Sequence, residues 1–413
     1  MCLLWLVNFA TDTTCHLLLY SIDANNVKSF ATLSSKLYGH KFKILVDFNT
    51  FLLNFGICTS YVVIVGTLLS DFAKYAYGGD YFTSRAQILL PIAPLVFLPL
   101  SCLKRLDALR YVSFVALTFL CAFVLIIVMI ASGMGNTHIK HEKEHEHVKL
   151  VGNQVLKIFE SLPVIFFAFV CQMNIPSLYT ELRRISPHTL SSPRPVSKYI
   201  SKASKMQWAI RAAFFICGTL YTASAIAGYS LFLNDTKGNI LDNFDRDLGG
   251  WFKISPYIKL IYGALLCISY PTMSYSGVRS LHRLLFEIRK TCLPAALRTY
   301  MFGHDDDEID TNSDKLLHPR LPVRVLEASI IVGFSTLIGV TCSEVTTVFS
   351  LTGAVCCSAI MYIFPGCFYY KTTLLQGKFG WSGTKLGLFF AIGGSVFGVL
   401  CTAIIIYNIA TGN

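Results

Sequence analysis

Two amides and a proline interrupt the apolar stretch "FFAFVCQMNIPSLYTELRR", which runs from Phe166 to Arg184. Gln172, Asn174 and Pro176 stand where a membrane helix would carry hydrocarbon. Pro176 removes a hydrogen-bond donor and is expected to clash with the preceding turn. Irregular backbone at membrane depth survives only beside a cavity or inside a bundle. The pattern predicts either a broken helix that faces a small polar ligand or a plain proline kink in a packed helix.

A second stretch, "LLCISYPTMSYSGVRS" at 265–280, places Pro271 among hydroxyl side chains. Hydroxyl and carbonyl oxygens suit a hard cation such as sodium, which makes Ser269 and Thr272 candidate cation ligands. Packing by small polar residues between helices explains the same pattern. Both interpretations stay open at this point.

Further polar side chains lie in two other apolar stretches. Cys58 and Tyr61 belong to "NFGICTSYVVIVGTLLSDF", and Asp12 and His16 lie one helical turn apart near the start of the chain. Because a carboxylate inside a membrane is costly, Asp12 is a functional candidate.

The segment 138–147 carries four histidines among lysines and glutamates. Such a tract can hold zinc or sense pH, but a solvated loop is the simpler interpretation. The chain has no G-x-S-x-G or Walker motif, and its H-E-x-x-H string at 141–145 lies within this charged segment and not in an apolar run. The sequence therefore predicts no enzyme, no cofactor and no metal centre.

Apart from the histidine-rich segment, the candidate residues named above lie within long apolar runs. Each run is close in length to the roughly 20 residues that a helix needs to cross a bilayer. The chain of 413 residues is 54% apolar and 14% charged, with a mean hydropathy of +0.55. A soluble domain carries roughly 25% charged residues. We therefore predict an all-α multi-pass membrane protein, a single transmembrane domain over 1–413. Its ten predicted helices are Cys2–Ile22, Ile44–Leu69, Ala86–Leu103, Tyr111–Ser132, Val155–Leu182, Gln207–Leu233, Pro256–Val278, Val325–Cys342, Val345–Tyr369 and Leu386–Ile409.

The net charge of +11 is better explained by membrane topology than by binding of nucleic acid, because the cytosolic loops of membrane proteins are enriched in Lys and Arg. One set of alternate loops carries 24 Lys and Arg, against 8 in the other set. The basic set, which we place in the cytosol, is 23–43, 103–110, 183–206, 279–324 and 371–385. The acceptor motif at Asn234 falls in the opposite set, so we expect Asn234 to face the lumen or exterior and to be glycosylated.

Several motifs, taken in order, resemble the amino acid/auxin permease superfamily, especially its sodium-coupled neutral and vacuolar amino acid transporter branches. "FAFVCQMNIPSLYTEL" is similar to the sixth-helix pattern of that family, and "NFGICTSYVVIVGTLL" is similar to its third helix. "AGYSLFLNDTKGNIL", "SYPTMSYSGVR" and "VFSLTGAVCCSAIMYIFPGCFYYK" resemble parts of the seventh, eighth and tenth. The resemblance covers nearly the whole chain.

The resemblance implies a LeuT-like inverted-repeat fold with about ten of eleven expected helices, and upstream coding sequence for the first. It implies secondary active transport of amino acids with neutral side chains, by sodium or proton symport. The plasma membrane or the vacuolar or lysosomal membrane is the expected location, with an amino acid and membrane lipid as partners. The substrate-binding residues it points to are Phe169, Gln172, Asn174, Cys58 and Tyr61, with Ser269 and Thr272 on the cation side.

Two departures from the family pattern bear on the ion. Gln172 stands where the family often has His, and Ser269 stands where sodium-coupled members tend to have Thr. Two alternatives to transport remain: an amino acid sensor that signals through the loop 279–324, and an inactive truncated product.

Overall fold

The computed structural model describes residues 1–77, 84–102, 109–132, 155–182, 202–244, 255–292, 321–342, 345–378 and 380–411. In these ranges the regular structure is helical. The helices are α1 (Cys2–Asn25), α2 (Phe30–Tyr38), α3 (His40–Tyr77), α4 (Arg85–Ile92), α5 (Leu98–Ser101), α6 (Leu109–Ala131), α7 (Val155–Phe169), α8 (Ile175–Glu181), α9 (Lys202–Phe232), α10 (Ser255–Cys292), α11 (Leu321–Thr341), α12 (Val345–Thr352), α13 (Phe364–Leu375) and α14 (Leu386–Thr411).

The predicted class is confirmed: the chain is an all-α polytopic membrane protein. Within the described ranges, eight helical segments are long and apolar enough to cross a membrane. The predicted helix Ala86–Leu103 forms the shorter apolar segment Arg85–Ser101, in which the π-helical turn Ala93–Phe97 joins α4 to α5. The predicted helix Pro256–Val278 lies inside α10, which is 38 residues long and carries charged residues toward both ends. The inverted-repeat relation stays a prediction.

Two apolar cores share α3. The first core joins α1, α2, α7, α8, α9, α13 and α14 to the first half of α3, where Leu53 and Ile57 are buried. The second core joins α4, α10 and α11 to the second half of α3, beginning at Cys58. Large apolar side chains on α6, α9 and α14 are exposed, as expected of surfaces that face lipid.

An ion pair near each end fixes the register of α3 against α10. Asp47 Oδ1 lies 3.0 Å from an Nη atom of Arg283, and Asp71 Oδ2 lies 2.8 Å from Nζ of Lys259. The two pairs are the same 24 residues apart on each helix, or about 36 Å along its axis. Asp47 is 2% exposed and Lys259 is 1% exposed, so each pair includes a charge that is removed from solvent.

Small residues bring α13 and α14 into close contact. A Cβ atom on Gly366 would lie 2.6 Å from the carbonyl oxygen of Gly387. One on Gly398 would lie 2.6 Å from Oγ of Ser358, in the helical segment that precedes α13. Small residues permit this approach between membrane helices.

Several predicted loops lie wholly or partly outside the described residues. They include the histidine-rich segment 138–147, residues 183–201 and residues 293–320 of the proposed signalling loop. The backbone of Asn234 is described, and it lies in the 3-10 turn Leu233–Asp235 at the end of α9.

Candidate functional site

The predicted interruption of the fifth apolar run lies between α7 and α8. α7 ends at Phe169, the next two residues are not helical, and a 3-10 turn covers Gln172–Asn174 before α8 begins at Ile175. The chain therefore has a broken helix here, not a continuous helix with a kink.

The cause that we assigned to Pro176 is wrong. Pro176 lies in the first turn of α8, where the N–H it lacks would have no partner within the helix. The fixed φ of proline favours the start of a helix at this position. The break itself comes before Gln172, so Pro176 starts the second half-helix and does not end the first.

Gln172 satisfies backbone and side-chain groups at the break. Its side chain is fully buried, and its Oε1 accepts the backbone N–H of Cys171 at 3.0 Å. Its Nε2 donates to Oγ1 of Thr14 on α1 at 3.4 Å. A second contact joins the same two elements, because the Sγ atoms of Cys15 and Cys171 are 3.8 Å apart. The break is therefore held against the middle of α1.

The other two predicted substrate residues of this segment differ in exposure. Phe169 is 4% exposed and stacks on Phe214, with ring centroids 6.0 Å apart, while Tyr221 meets it edge-on at 5.1 Å. Asn174 is exposed, and its backbone N–H donates to the carbonyl of Cys171 at 3.0 Å. The amide of Asn174 is thus the polar side chain of the break that a ligand can reach.

The two predicted residues on α3 belong to different surroundings. Cys58 is fully buried in the second core. Tyr61 is half-buried and packs against both cores. The structure therefore places Tyr61, and not Cys58, at the boundary between the cores.

Asn54 was not singled out from the sequence, although it lies beside the break. It is fully buried, and its Nδ2 donates to the carbonyl of Thr50 at 2.7 Å and lies 3.9 Å from Sδ of Met173 in the 3-10 turn. Its Oδ1 is buried and has no hydrogen-bond partner within the described residues. An asparagine inside an apolar run was the available signal, because polar side chains in membrane helices face the protein interior.

The hydroxyl-rich part of α10 is a continuous helix through Pro271. Ser269 is half-buried, and Thr272 is exposed. Ser274 is the hydroxyl that points inward, since it is fully buried and its Oγ has no hydrogen-bond partner in the described part of the chain. The same holds for Oγ1 of Thr336 on α11. Such oxygens have the chemistry of sodium ligands, whereas the described residues contain no group of three His, Cys, Asp or Glu placed to hold a metal.

The family described as "Transmembrane amino acid transporter protein" matches residues 1–411. The chain belongs to this family. The match covers both halves of the broken helix and both cores, and it confirms the resemblance drawn from the motifs. Members of the family are transporters, which agrees with the prediction that the chain is not an enzyme.

The chain is similar, at 24–26% identity, to curated proteins named as amino acid transporters and as a solute carrier. The protein named "Amino acid transporter AVT6A" of Arabidopsis thaliana is 26% identical over 71% of this chain and 65% of its own length. "Amino acid transporter AVT6B" of the same organism is 24% identical over 98% of this chain and 81% of its own length. "Solute carrier family 38 member 10" of Rattus norvegicus is 25% identical over 89% of this chain, which spans 30% of that protein.

Proposed function

We propose that the protein carries amino acids with neutral side chains across a membrane by secondary active transport, driven by symport of sodium or protons. The observation that carries this proposal is the broken helix between α7 and α8 in a chain of the amino acid transporter family. Transporters use such breaks to expose backbone groups to a substrate and an ion at membrane depth.

In this proposal the C-terminal end of α7 faces the cationic partner. The last carbonyl groups of a helix have no partner within it and carry the negative end of its dipole. Tyr221 already donates to the carbonyl of Ala168 at 3.1 Å, so the neighbouring carbonyls are the ones that remain for an ammonium group or an ion. Asn174 contacts the substrate with its exposed amide, and Tyr61 forms the opposite wall.

The experiment is uptake of radiolabelled alanine by the full chain in proteoliposomes. Asn174→Ala removes a polar contact to the substrate and should weaken apparent affinity or rate by about five- to 150-fold, or roughly 1–3 kcal/mol, with unchanged protein content. Thr118→Ala is the matched control, because Thr118 is polar and exposed on α6 and bonds to its own helix at 3.0 Å. Full activity of Asn174→Ala per molecule would remove the break from the substrate pathway.

The coupling ion and the membrane need separate measurements. Uptake under a sodium gradient, a pH gradient or neither identifies the ion. Microscopy of the tagged protein distinguishes the plasma membrane from the vacuolar or lysosomal membrane.

A further inference from the structure

Asp12 and His16 form an isolated polar pair in the middle of α1. Oδ1 of Asp12 lies 3.4 Å from Nε2 of His16, and their side chains are 18% and 17% exposed. Oδ1 of Asp12 and both ring nitrogens of His16 are buried without a hydrogen-bond partner in the described part of the chain. Buried polar groups are nearly always hydrogen-bonded, so three such atoms on one turn mark a candidate binding site.

The pair lies on the turn of α1 that holds the helix break. Thr14 accepts the amide of Gln172, and Cys15 touches Cys171. On the same buried face of α1, Oγ1 of Thr11 lies 3.1 Å from the hydroxyl of Tyr362. A change of charge at the pair therefore acts on the helix segment that supports the break.

The chemistry of the two side chains selects the ligand. Sodium takes oxygen ligands, and an imidazole nitrogen is a poor one. A transition metal needs more ligands than two, and the described residues contain no group of three His, Cys, Asp or Glu placed to hold one. A proton needs one basic nitrogen and is stabilised by a neighbouring carboxylate.

The titratable side chains that neighbouring elements place against this turn of α1 are thiols and a phenol, and their hydrogen-bond contacts with α1 are to Cys15 and Thr11. They are Cys171 from the break, Tyr362 from the segment before α13, and Cys217 on α9, which packs against the first core. Arg211 on α9 is exposed, and the ion pair that the described residues give for Asp12 is the one with His16. Cys15 is the other titratable neighbour on α1 itself. No described cation therefore neutralises Asp12 when His16 is neutral.

We propose that Asp12 and His16 form the proton-binding site of this transporter. The proton adds to Nε2 of a neutral His16, which then donates toward Oδ1 of Asp12. The pair changes from a net charge of −1 to zero, and the uncompensated charge inside the membrane disappears. The inference rests on the proposed function only in assigning this proton to symport.

The transport test separates proton coupling from substrate movement. With the full chain in proteoliposomes, an inward pH gradient should raise alanine accumulation in the wild type, and this stimulation should vanish in Asp12→Asn and His16→Gln. Exchange of labelled for unlabelled alanine at equal pH should persist in both variants. Asp23→Asn is the matched control on α1, where the carboxylate accepts the hydroxyl of Tyr179, and it should retain both activities. Intact pH stimulation in Asp12→Asn and His16→Gln, or loss of exchange together with accumulation in folded variants, would overturn the proposal.

A second measurement does not require transport or a folded variant. Nitrogen NMR of the wild-type protein with ring-labelled histidine should show the His16 ring passing from the neutral to the doubly protonated form on acidification. The His16→Gln spectrum identifies the signal where that variant folds, and paramagnetic labelling at Cys2 identifies it otherwise. A ring that stays neutral while the protein remains folded overturns the proton site. A wild type that moves no alanine contradicts the proposed function, and the NMR result then decides the site alone.

Discussion

The ammonium group of Lys259 lies 2.8 Å from the carboxylate of Asp71, and the two residues join α10 to α3. Lys259 is 1% exposed, whereas the side chain of Asp71 is 26% exposed. Removal of Asp71 and removal of Lys259 should therefore lower the free energy of unfolding by different amounts. A charge left in a buried position cannot recover its hydration, but a partly exposed one can.

We predict that Asp71→Ala destabilises the protein more than Lys259→Met. Asp71→Ala takes the carboxylate from a buried ammonium group and should cost about 3 kcal/mol. Lys259→Met replaces the charge by an apolar chain of similar length and should cost less. Unfolding in detergent, followed by circular dichroism, measures both. A larger loss in Lys259→Met would contradict this account of the pair.

The amide of Gln172 should contribute to stability through the break. Gln172→Leu leaves the N–H of Cys171 and the hydroxyl of Thr14 without this partner, at an expected cost of about 1–3 kcal/mol. Gln376→Leu is the control, because Gln376 is exposed and accepts one hydroxyl from Tyr20. Thermal unfolding of both purified variants gives the comparison, and equal stability would show that the break does not need the amide of Gln172.

The glycine that follows α12 should tolerate no side chain. A Cβ on Gly353 would lie 2.0 Å from the carbonyl oxygen of Pro163, so Gly353→Ala must push α7 aside and should cost about 1–3 kcal/mol. A Cβ on Gly393 has no atom within 4 Å, and Gly393→Ala should gain up to about 1 kcal/mol from helix propensity. In an unfolding assay, Gly353→Ala should lower the stability and Gly393→Ala should raise it. Equal losses of stability in both variants would mean that contact with Pro163 does not cause the effect of Gly353→Ala.

The charge asymmetry of the loops predicts the glycosylation pattern. In a eukaryotic membrane, Asn234 should carry a glycan that Asn234→Gln and Thr236→Ala both remove, seen as a mobility shift after glycosidase treatment. An acceptor motif introduced within 293–320 should stay unmodified, because this loop is expected in the cytosol. A glycan at the introduced motif would show that the orientation in the membrane is the opposite of the one proposed.

Local sequence predicted the helices well because each needs only enough apolar residues in a row. The predicted run Leu386–Ile409 begins where α14 begins, and Val325–Cys342 lies within four residues of α11 at each end. For the run 155–182, a broken helix was one of the two structures that the sequence predicted. The sequence placed the interruption near Gln172, Asn174 and Pro176, but not the residue at which α7 ends, because Gln172 is stabilised by Thr14, 158 residues earlier in the chain.

The inward faces of the helices were harder to predict than their ends. Thr272 and Ser274 are equally polar, yet α10 buries Ser274 and exposes Thr272. Which face of α10 is buried depends on where α3 and α11 pack against it. The sequence of α10 alone does not contain that information. Asn54 was missed for the same reason, since its significance comes from Met173 on a distant segment.

The equal spacing of the two ion pairs between α3 and α10 restricts how these helices can vary in length during evolution. One residue inserted between Asp47 and Asp71 would turn one pair by about 100° out of line with its partner. A matching insertion between Lys259 and Arg283 would restore it. An insertion or deletion in one of these two helical segments should therefore occur in homologues together with a matching insertion or deletion in the other.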